Sequence, residues 1–306
     1  MVNFNGEIVS NSSAVLKTNN RAIAYGDAVF ETIRVDATRI LFWEDHYFRL
    51  MSSMRIMRMK IPMNFTLEFL EQEIKNTIAS HGLSPRASVR VKLTVYRDAE
   101  GLYTPKENKQ IGYFITVKPI ETPFYTLNRI EKDSEEGTYE LELFKDYYIA
   151  PNLLSTIKTT NKAINVLAGI FAKENNYDNV LLLNTDKKVI EAFNGNLFLV
   201  KGTTIKTPPI KDGCVDGIFR KQLIKLLKNN TTYTIEESSI SSFELQKADE
   251  LFLTNVIKGI TSVSKYRKKQ FTNTVTLHLH KLLNAQIRLK IDKLDSIARR
   301  RAPVGF

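Results

Sequence analysis

The chain has 306 residues, of which 43% are hydrophobic and 25% charged, the composition of an ordinary globular protein with one large or two medium domains. Its single cysteine, Cys214, excludes an internal disulfide framework and a cysteine-rich metal site. The net charge of +11 favours anionic partners, but dense basic runs occur only at 55–60, 265–269 and 299–301, and no nucleic-acid motif accompanies them.

No metal, nucleic acid or membrane is expected as a partner. The four histidines lack metal-ligand spacing, and no stretch approaches the ~18 consecutive apolar residues of a membrane helix. The first residues also lack a basic segment followed by an apolar one, the pattern of a secretory signal. We therefore expect a cytoplasmic protein.

The first half of the chain mixes helical and strand patterns. Apolar residues at helical spacing, such as Leu50, Met54 and Met57, alternate with segments of two-residue periodicity. The proline-bearing segment 118–123 is the candidate linker between a smaller α+β domain over 1–120 and a larger domain over 121–306. The predicted elements are a strand over 39–44, helices over 45–59 and 65–82 (the latter closed by Gly82), and strands over 87–97 and 110–120.

The second half is also mixed, without the regular alternation of a doubly wound sheet, so the predicted class is α+β or α/β with mixed sheets flanked by helices. A helix beginning at Ala163 is expected to face the core with its apolar residues, Ala163, Ile164, Val166, Leu167, Ile170 and Phe171. The other predicted elements are strands over 179–184 and 189–202 joined by a polar turn, a helix over 218–229 and a buried strand over 249–255.

Two lysines precede the predicted helix at Ala163. Desolvation and the positive end of a helix dipole both lower the pKa of an ammonium group, which would make Lys158 nucleophilic and able to form a Schiff base with a carbonyl. The alternative is a surface lysine beside a helix. Lys162 suits that alternative better, because it is predicted to lie inside the first turn of the helix.

Three further features could contribute to a site. Glu191 stands in an apolar strand, either at a solvated edge or paired with a buried cation such as a protonated pyridine nitrogen. The glycine-bearing loop 211–217 leads into a helix whose first N–H groups, around Ile218 and Phe219, could hold a phosphate, although by itself this signal is weak and an ordinary loop explains it. Arg49, on a helix rich in Leu and Met, could bind a phosphate or could cover the core with its stem.

Taken together and in this order, these segments resemble the class IV aminotransferases, which are fold-type IV enzymes of pyridoxal 5'-phosphate (PLP). The resemblance implies two domains with PLP in the cleft between them, and a homodimer in which "AYGDAVFETIR" contributes to the substrate side. The segments that carry it are "RAIAYGDAVFETIRV" (21–35), "DHYFRL", "IKTTN", "VIEAFNGNLFLV", "TPP", "GIFR" and "DELFLTNVIKGITSV" (249–263).

The resemblance also implies roles for single residues. Lys158 would form the Schiff base with PLP and move protons, Glu191 would face the pyridine nitrogen, and Arg49 would bind the phosphate. Other residues would complete the phosphate cup, shape the strand behind the cofactor or meet the carboxylate of a small anionic amino substrate. They are Ile218, Phe219, Asn255 and Val256 for the cup, Asn196 for the strand, and Tyr25, Arg97 and Tyr103 for the substrate.

Within the family, three positions resemble 4-amino-4-deoxychorismate lyase, which forms 4-aminobenzoate and pyruvate. They are Thr32 in "FETIR", Phe219 in "GIFR" and the "LTN" at 253–255. Thr32 is therefore a candidate catalytic residue. The alternative is an amino acid aminotransferase of the branched-chain type, which passes the amino group to a 2-oxo acid. A polyanion-binding module and a PLP-binding protein without activity are further alternatives, and a colourless purified protein would indicate the former.

Overall fold

The computed structural model describes residues 1–301 except 15, 38, 108–109, 123–124, 128–137 and 230, and it describes side chains as far as residue 289. The basic run at 299–301 belongs to the last helix, but its side chains lie outside the described part. Part of the predicted linker, at 123, is outside it too. Among the described residues, no helix is both long and apolar enough to cross a membrane.

Six strands from the first 120 residues form one antiparallel sheet in the order β2-β1-β6-β5-β3-β4. Valine and isoleucine at alternate positions of the three long strands bury one face of this sheet beneath two helices. The elements are β1 (Val2–Phe4), β2 (Glu7–Val9), α1 (Arg21–Tyr25), β3 (Ala28–Asp36), β4 (Arg39–Ile40), α2 (Trp43–Ile56), α3 (Leu67–Ala79), β5 (Ser88–Arg97) and β6 (Ile111–Ile120).

The predicted strand over 39–44 is wrong beyond its second residue. β4 ends at Ile40, and Phe42 has a positive φ of 55°, which breaks the extended conformation. Helix α2 then begins at Trp43, two residues before the predicted start, with Glu44 and Asp45 in its first turn, where acidic residues stabilise the helix dipole. The predicted helix over 65–82 and the strands over 87–97 and 110–120 are confirmed within two or three residues at each end.

The remaining strands form two five-stranded sheets, in the orders β16-β15-β7-β8-β9 and β12-β11-β10-β13-β14. This distribution supports the proposed division of the chain near residue 120. The elements are β7 (Glu140–Ile149), α4 (Leu153–Thr156), α5 (Ala163–Glu174), β8 (Asn179–Asn184), β9 (Val189–Ala192), β10 (Asn196–Lys201), β11 (Thr204–Thr207), α6 (Ile218–Lys228), β12 (Thr234–Glu237), α7 (Ser242–Lys247), β13 (Glu250–Asn255), β14 (Gly259–Val263), β15 (Lys265–Tyr266), β16 (Lys269–Gln270) and α8 (Thr274–Arg301).

Two predictions for this half need correction. The segment 189–202 is not one strand, because it turns at Phe193, Asn194 and Gly195, so that β9 and β10 belong to different sheets. The apolar side of α5 does not all face the core: Val166 is 59% exposed and Ile170 48% exposed, while Ala163 and Leu167 also reach solvent. Ala168 and Ala172 supply the buried face instead, because small side chains let the helix lie close to the sheet.

The segment between α4 and α5 is tied to the first sheet. The Phe30 N–H donates to the Lys158 oxygen over 2.8 Å, and the Thr160 N–H donates to the Ala28 oxygen over 3.0 Å. Gly26 must be glycine here, because its φ is 61° and a Cβ would lie 2.3 Å from the Asn161 Oδ1. The start of β3 is thereby held against Lys158, the candidate catalytic residue.

Candidate active site

A cavity of about 500 Å³ lies where the first sheet meets the two others. Its walls come from β3 and β5, the segment before α5, the β9–β10 turn, the start of α6 and the β13–β14 turn. The candidate catalytic residues and the candidate cofactor-binding residues from the sequence all line it. They are Thr32, Arg49, Lys158, Glu191, Ile218, Phe219, Asn255 and Val256.

Lys158 presents its amine to this cavity. The Nζ atom lies 4.7 Å from the centre of the Phe30 ring, and it has no hydrogen bond or ion pair among the described residues. Burial lowers the pKa of the Lys158 amine to about 8, with Arg49 acting in the same direction and Glu31 opposing. The amine is therefore neutral in a useful fraction of molecules near neutral pH. Burial and a neighbouring cation cause this shift, and Lys158 lies in an extended segment ahead of α5, not at a helix start.

Glu191 lies on β9, which is an edge strand, yet it is only 7% exposed. Its Oε2 accepts the Val215 N–H over 3.0 Å and faces the Asn196 Nδ2 at 3.4 Å. Burial raises the pKa of the Glu191 carboxyl to about 7, although the Val215 N–H and Lys162 act in the opposite direction. A buried carboxyl of this kind is stabilised as the anion when a cation comes beside it.

Arg49 projects from α2 and is held by Glu31 on β3. Its Nε and Nη2 donate to the two Glu31 oxygens over 2.8 and 2.6 Å, and its Nη1 donates to the Asp216 oxygen over 2.7 Å. His46 shares the same carboxylate through its Nδ1 at 2.7 Å. Burial raises the pKa of Glu31, but the charges and hydrogen bonds of Arg49 and His46 outweigh this and lower it to about 2. The carboxylate therefore stays ionised and fixes the guanidinium at the cavity wall.

The N-terminus of α6 opens on the same wall. Gly217 is its N-cap, and the first intrahelical bond is from the Lys221 N–H to the Gly217 oxygen, so the N–H groups of Ile218 and Phe219 precede the ladder. Gly217 approaches Asn196 closely, since a Cβ there would lie 2.0 Å from the Asn196 Oδ1. Together with Arg49, these N–H groups form a candidate phosphate-binding site.

The β13–β14 turn closes the cavity on another side. The Asn255 Oδ1 accepts the N–H groups of Ile257 and Lys258 over 3.0 and 2.8 Å, and the Val256 oxygen accepts the Tyr125 hydroxyl over 2.7 Å. Asn255 thus shapes with its side chain a turn whose residues 254–258 all line the cavity.

The structure does not bring Tyr25, Arg97 and Tyr103 into this cavity. They line a separate one, where the rings of Tyr25 and Tyr103 lie 5.5 Å apart. The Arg97 Nε donates to Asp27 over 2.8 Å, and its Nη2 donates to the Met57 oxygen over 2.6 Å. A substrate carboxylate could reach Arg97 in this chain only by replacing these partners.

Sequence reasoning missed Glu31 and Arg90, and it set Lys162 aside as the better candidate for a surface lysine, although all three matter at this site. Glu31 fixes Arg49, and no local pattern in the sequence marks it, because its partners His46 and Arg49 come near it only in the fold. Arg90 and Lys162 both line the cavity. Lys162 is the N-cap of α5 and is half-buried, so the prediction that it lies inside the first turn is wrong, and it is not a plain surface lysine.

Comparison with known proteins identifies the family. The family model for amino-transferase class IV matches residues 28–266. The probable branched-chain-amino-acid aminotransferase of Aquifex aeolicus is 27% identical over 303 residues, 95% of this chain and 93% of that protein. The aminodeoxychorismate lyase of Vibrio harveyi is 25% identical over 246 residues, 80% of this chain and 85% of that protein. The solved branched-chain amino acid aminotransferase of Thermobaculum terrenum, in its PLP form, has a TM-score of 0.77 at 22% identity, covering 94% of this chain and 93% of that one.

The chain belongs to the class IV aminotransferases, and its fold is that of the fold-type IV PLP enzymes. It is a PLP-dependent enzyme of the family that holds both aminotransferases and lyases. The cavity fits this cofactor: it combines a buried amine of lowered pKa, a buried carboxyl of raised pKa and a cationic helix start. Within the described residues, no group of three metal-ligating side chains is placed to hold a metal ion.

Lys158 is expected to carry the cofactor. Borohydride reduction of the purified enzyme, followed by peptide mapping, should place a pyridoxyl group on Lys158, because its amine has the lowered pKa and faces the cavity. Lys158→Ala should lose the visible absorption band and nearly all turnover. A label on Lys162 would contradict the assignment, and Lys173→Ala, at an exposed position of α5, is the control that should keep both properties.

Glu191 should make the stability of the cofactor-free protein depend on pH. Its pKa is about 7 in the fold and near 4.5 in the unfolded chain, so its stabilising contribution is fully present below 4.5 and is lost as the pH rises through 7. The loss is at most about 3 kcal/mol. In denaturant unfolding, the free energy of unfolding of Glu191→Gln relative to that of the wild type should therefore be higher at pH 8 than at pH 5.

The control for this comparison is Glu174→Gln, at the exposed end of α5, which should not change the difference between the two pH values. An identical pH dependence in Glu191→Gln and the wild type would mean that Glu191 titrates like an exposed carboxyl. In the loaded enzyme, Glu191→Gln should slow turnover ~10²-fold, as expected when a charge-assisted contact worth ~3 kcal/mol is lost.

Proposed function

We propose that the protein is a 4-amino-4-deoxychorismate lyase, forming 4-aminobenzoate and pyruvate. The observation that supports this is the convergence of the lyase-like positions on the cavity wall. Thr32, Phe219 and Asn255 are far apart in sequence, and all three line the cavity that holds Lys158. The similarity to a lyase of Vibrio harveyi over 80% of the chain is consistent with the proposal.

The proposed chemistry uses the groups on the cavity wall. When bound, PLP supplies an electron-withdrawing ring that stabilises negative charge beside the amine-bearing carbon. The Lys158 amine takes the proton from that carbon, and Glu191 holds the ring nitrogen charged. The bond from the neighbouring carbon of the substrate ring to the enolpyruvyl oxygen then breaks, the substrate ring becomes aromatic, and the released enolate takes a proton on carbon to give pyruvate. We propose that Thr32, which lines the cavity, uses its hydroxyl to guide a proton or a carboxylate during this step.

A substrate with two carboxylates also needs cations beyond those that hold the cofactor. Arg90 lines the cavity two residues from Lys92, the cross-strand partner of Thr32, and the Arg90 side chain makes no hydrogen bond or ion pair among the described residues. Lys258, in the β13–β14 turn, also lines the cavity and is exposed. We propose that Arg90 meets one carboxylate, which leaves Arg97, Tyr25 and Tyr103 as candidates only if the substrate extends beyond this cavity.

The second candidate function is transfer of an amino group from an amino acid to a 2-oxo acid. It is favoured by the similarity to the probable branched-chain-amino-acid aminotransferase of Aquifex aeolicus, which covers 95% of the chain. The first step at Lys158 is the same in both reactions. They differ in whether the substrate carries a leaving group next to the amine-bearing carbon. We further propose that the protein is cytoplasmic, and this proposal rests on the sequence alone.

We also propose that the enzyme is a homodimer. Leu153 is 68% exposed on α4, and Val166, Leu167 and Ile170 form an exposed apolar face of α5, which a monomer would leave in water. We call these four residues the α4–α5 face. A second copy of the chain is the proposed occupant, since the family forms dimers.

Charge on the α4–α5 face should separate the subunits. Val166→Glu combined with Ile170→Glu should convert the protein from dimer to monomer in light scattering after gel filtration, because two carboxylates would be buried without partners. Lys225→Glu, at an exposed position of α6 and outside the α4–α5 face, is the control and should remain dimeric. A wild type that is monomeric at micromolar concentration, or a double variant that stays dimeric, would contradict the proposed interface.

Thr32 separates the two candidate functions. Thr32→Val keeps the shape and removes the hydroxyl, so 4-aminobenzoate formation should fall tenfold or more while slow transamination of simple amino acids survives. Thr116→Val, the same exchange two strands away in the sheet, should leave the product rate unchanged. Full activity in Thr32→Val would exclude this role for the hydroxyl, and a wild type that makes no 4-aminobenzoate would favour the aminotransferase.

A further inference from the structure

A second lysine at the cavity has no role in the proposed chemistry. Lys162 lines the cavity and is half-buried, and its side chain makes no hydrogen bond or ion pair among the described residues. It is the N-cap of α5, with its N–H donating to the Thr160 oxygen over 2.9 Å and its side chain not used as a cap. A long cationic side chain held in this way at a cavity wall, with no anionic partner in contact, is suited to an anion that binds in the cavity.

The charges around Lys162 indicate which part of the cavity it faces. Lys162 lowers the pKa of both Lys158 and Glu191, so its charge is within reach of the amine and of the carboxyl. Burial lowers the pKa of Lys162 itself, and Glu191 opposes this. The first turn of α5 is tied to the turn that follows Glu191, because the Asn165 Nδ2 donates to the Phe193 oxygen over 2.8 Å, whereas Arg49 is tied to the loop before α6 through the Asp216 oxygen. Lys162 therefore lies on the side of the cavity that holds Lys158 and Glu191, away from the proposed phosphate-binding site at Arg49.

The groups around the PLP ring can be matched to the residues around the cavity. The ring nitrogen lies opposite the carbon that bears the aldehyde. That carbon has the phosphate arm on one side and a phenolic oxygen on the other. With the phosphate at Arg49 and the start of α6, the aldehyde at Lys158 and the nitrogen at Glu191, the phenolic oxygen must lie on the side away from Arg49. This is the side on which Lys162 stands.

We propose that the Lys162 ammonium group binds the phenolic oxygen of the cofactor and holds it as the phenolate. The inference rests on the assignment to the PLP enzymes and is independent of the choice between lyase and aminotransferase. Lys162 is then a cofactor-binding residue that acts on an oxygen beside the Lys158 linkage. It also offsets part of the negative charge that the oxygen adds next to Lys158.

The visible absorption of the loaded enzyme tests this without measuring turnover. A cation beside the phenolate makes it a weaker acceptor for the proton on the nitrogen that joins Lys158 to the cofactor. In Lys162→Met this cation is gone, so the nitrogen should keep its proton to higher pH. The midpoint of the pH titration of the visible band should rise by about one unit or more. Lys173→Met loses the same charge from an exposed position of α5 and should titrate like the wild type.

Binding of two cofactor analogues tests the contact itself. 4-Deoxypyridoxine 5'-phosphate lacks the aldehyde and cannot react with any lysine, and its 3-deoxy counterpart also lacks the phenolic oxygen. In calorimetry with the cofactor-free chain, Lys162→Met should weaken the first analogue about tenfold or more, as for the loss of a charge-assisted hydrogen bond. It should leave the 3-deoxy analogue within about twofold of its wild-type affinity.

The other outcomes have different meanings. Equal weakening of both analogues would overturn the inference, since it would show a general disturbance of the site. An unchanged titration with a raised KM would overturn it in favour of a substrate carboxylate as the partner of Lys162. A wild type that binds neither analogue would remove the cofactor assignment on which the inference rests. Absence of 4-aminobenzoate would remove only the lyase proposal and leave these two measurements intact.

Discussion

The chemistry of the site depends on the burial of the Lys158 amine beside the ion pair of Glu31 and Arg49. An isolated lysine at this depth would be strongly driven to the neutral form, and the guanidinium of Arg49 adds to that tendency. Glu31 limits it, because its carboxylate lies between Arg49 and His46 and stays ionised. The opposing effects of Arg49 and Glu31 leave the Lys158 amine able to exchange a proton near neutral pH. At the same time, Glu31 and the Asp216 oxygen hold the Arg49 guanidinium next to the start of α6.

The fold gives these groups their positions by joining three sheets at one cavity. β3 of the first sheet supplies Glu31 and Thr32 on opposite faces, one toward α2 and the other toward the cavity. β9 brings Glu191, and the separation of β9 from β10 opens the turn that lines the cavity. Asn196 then connects Glu191 to the loop before α6 through its contact with the Val215 oxygen at 2.9 Å. A change in any of these connections would move several groups together.

The predictions from sequence succeeded where the local pattern determines the structure. The buried run at 179–184 is a strand with the predicted limits, and α6 begins at the predicted residue, because both have one strong periodicity and clear boundaries. The prediction for α5 failed in part, since a helix that is apolar on most sides does not reveal which side meets the core. The role of Glu31 could not be predicted, because its partners, 15 and 18 residues away, become neighbours only when α2 packs on β3. The resemblance supplied roles for Lys158 and Glu191 that composition and spacing could not.

The pKa of Lys158 in the cofactor-free chain shows whether burial and Arg49 prepare its amine for reaction. It can be measured from the pH dependence of the rate at which trace acetic anhydride acetylates Lys158, with exposed Lys173 in the same digest as the internal standard. We predict a midpoint of about 8 for Lys158. We also predict a lower midpoint in Glu31→Gln, where the opposing carboxylate is lost. A midpoint near 10.5 for Lys158, the ordinary value of the group, or one that does not move in Glu31→Gln, would contradict this mechanism.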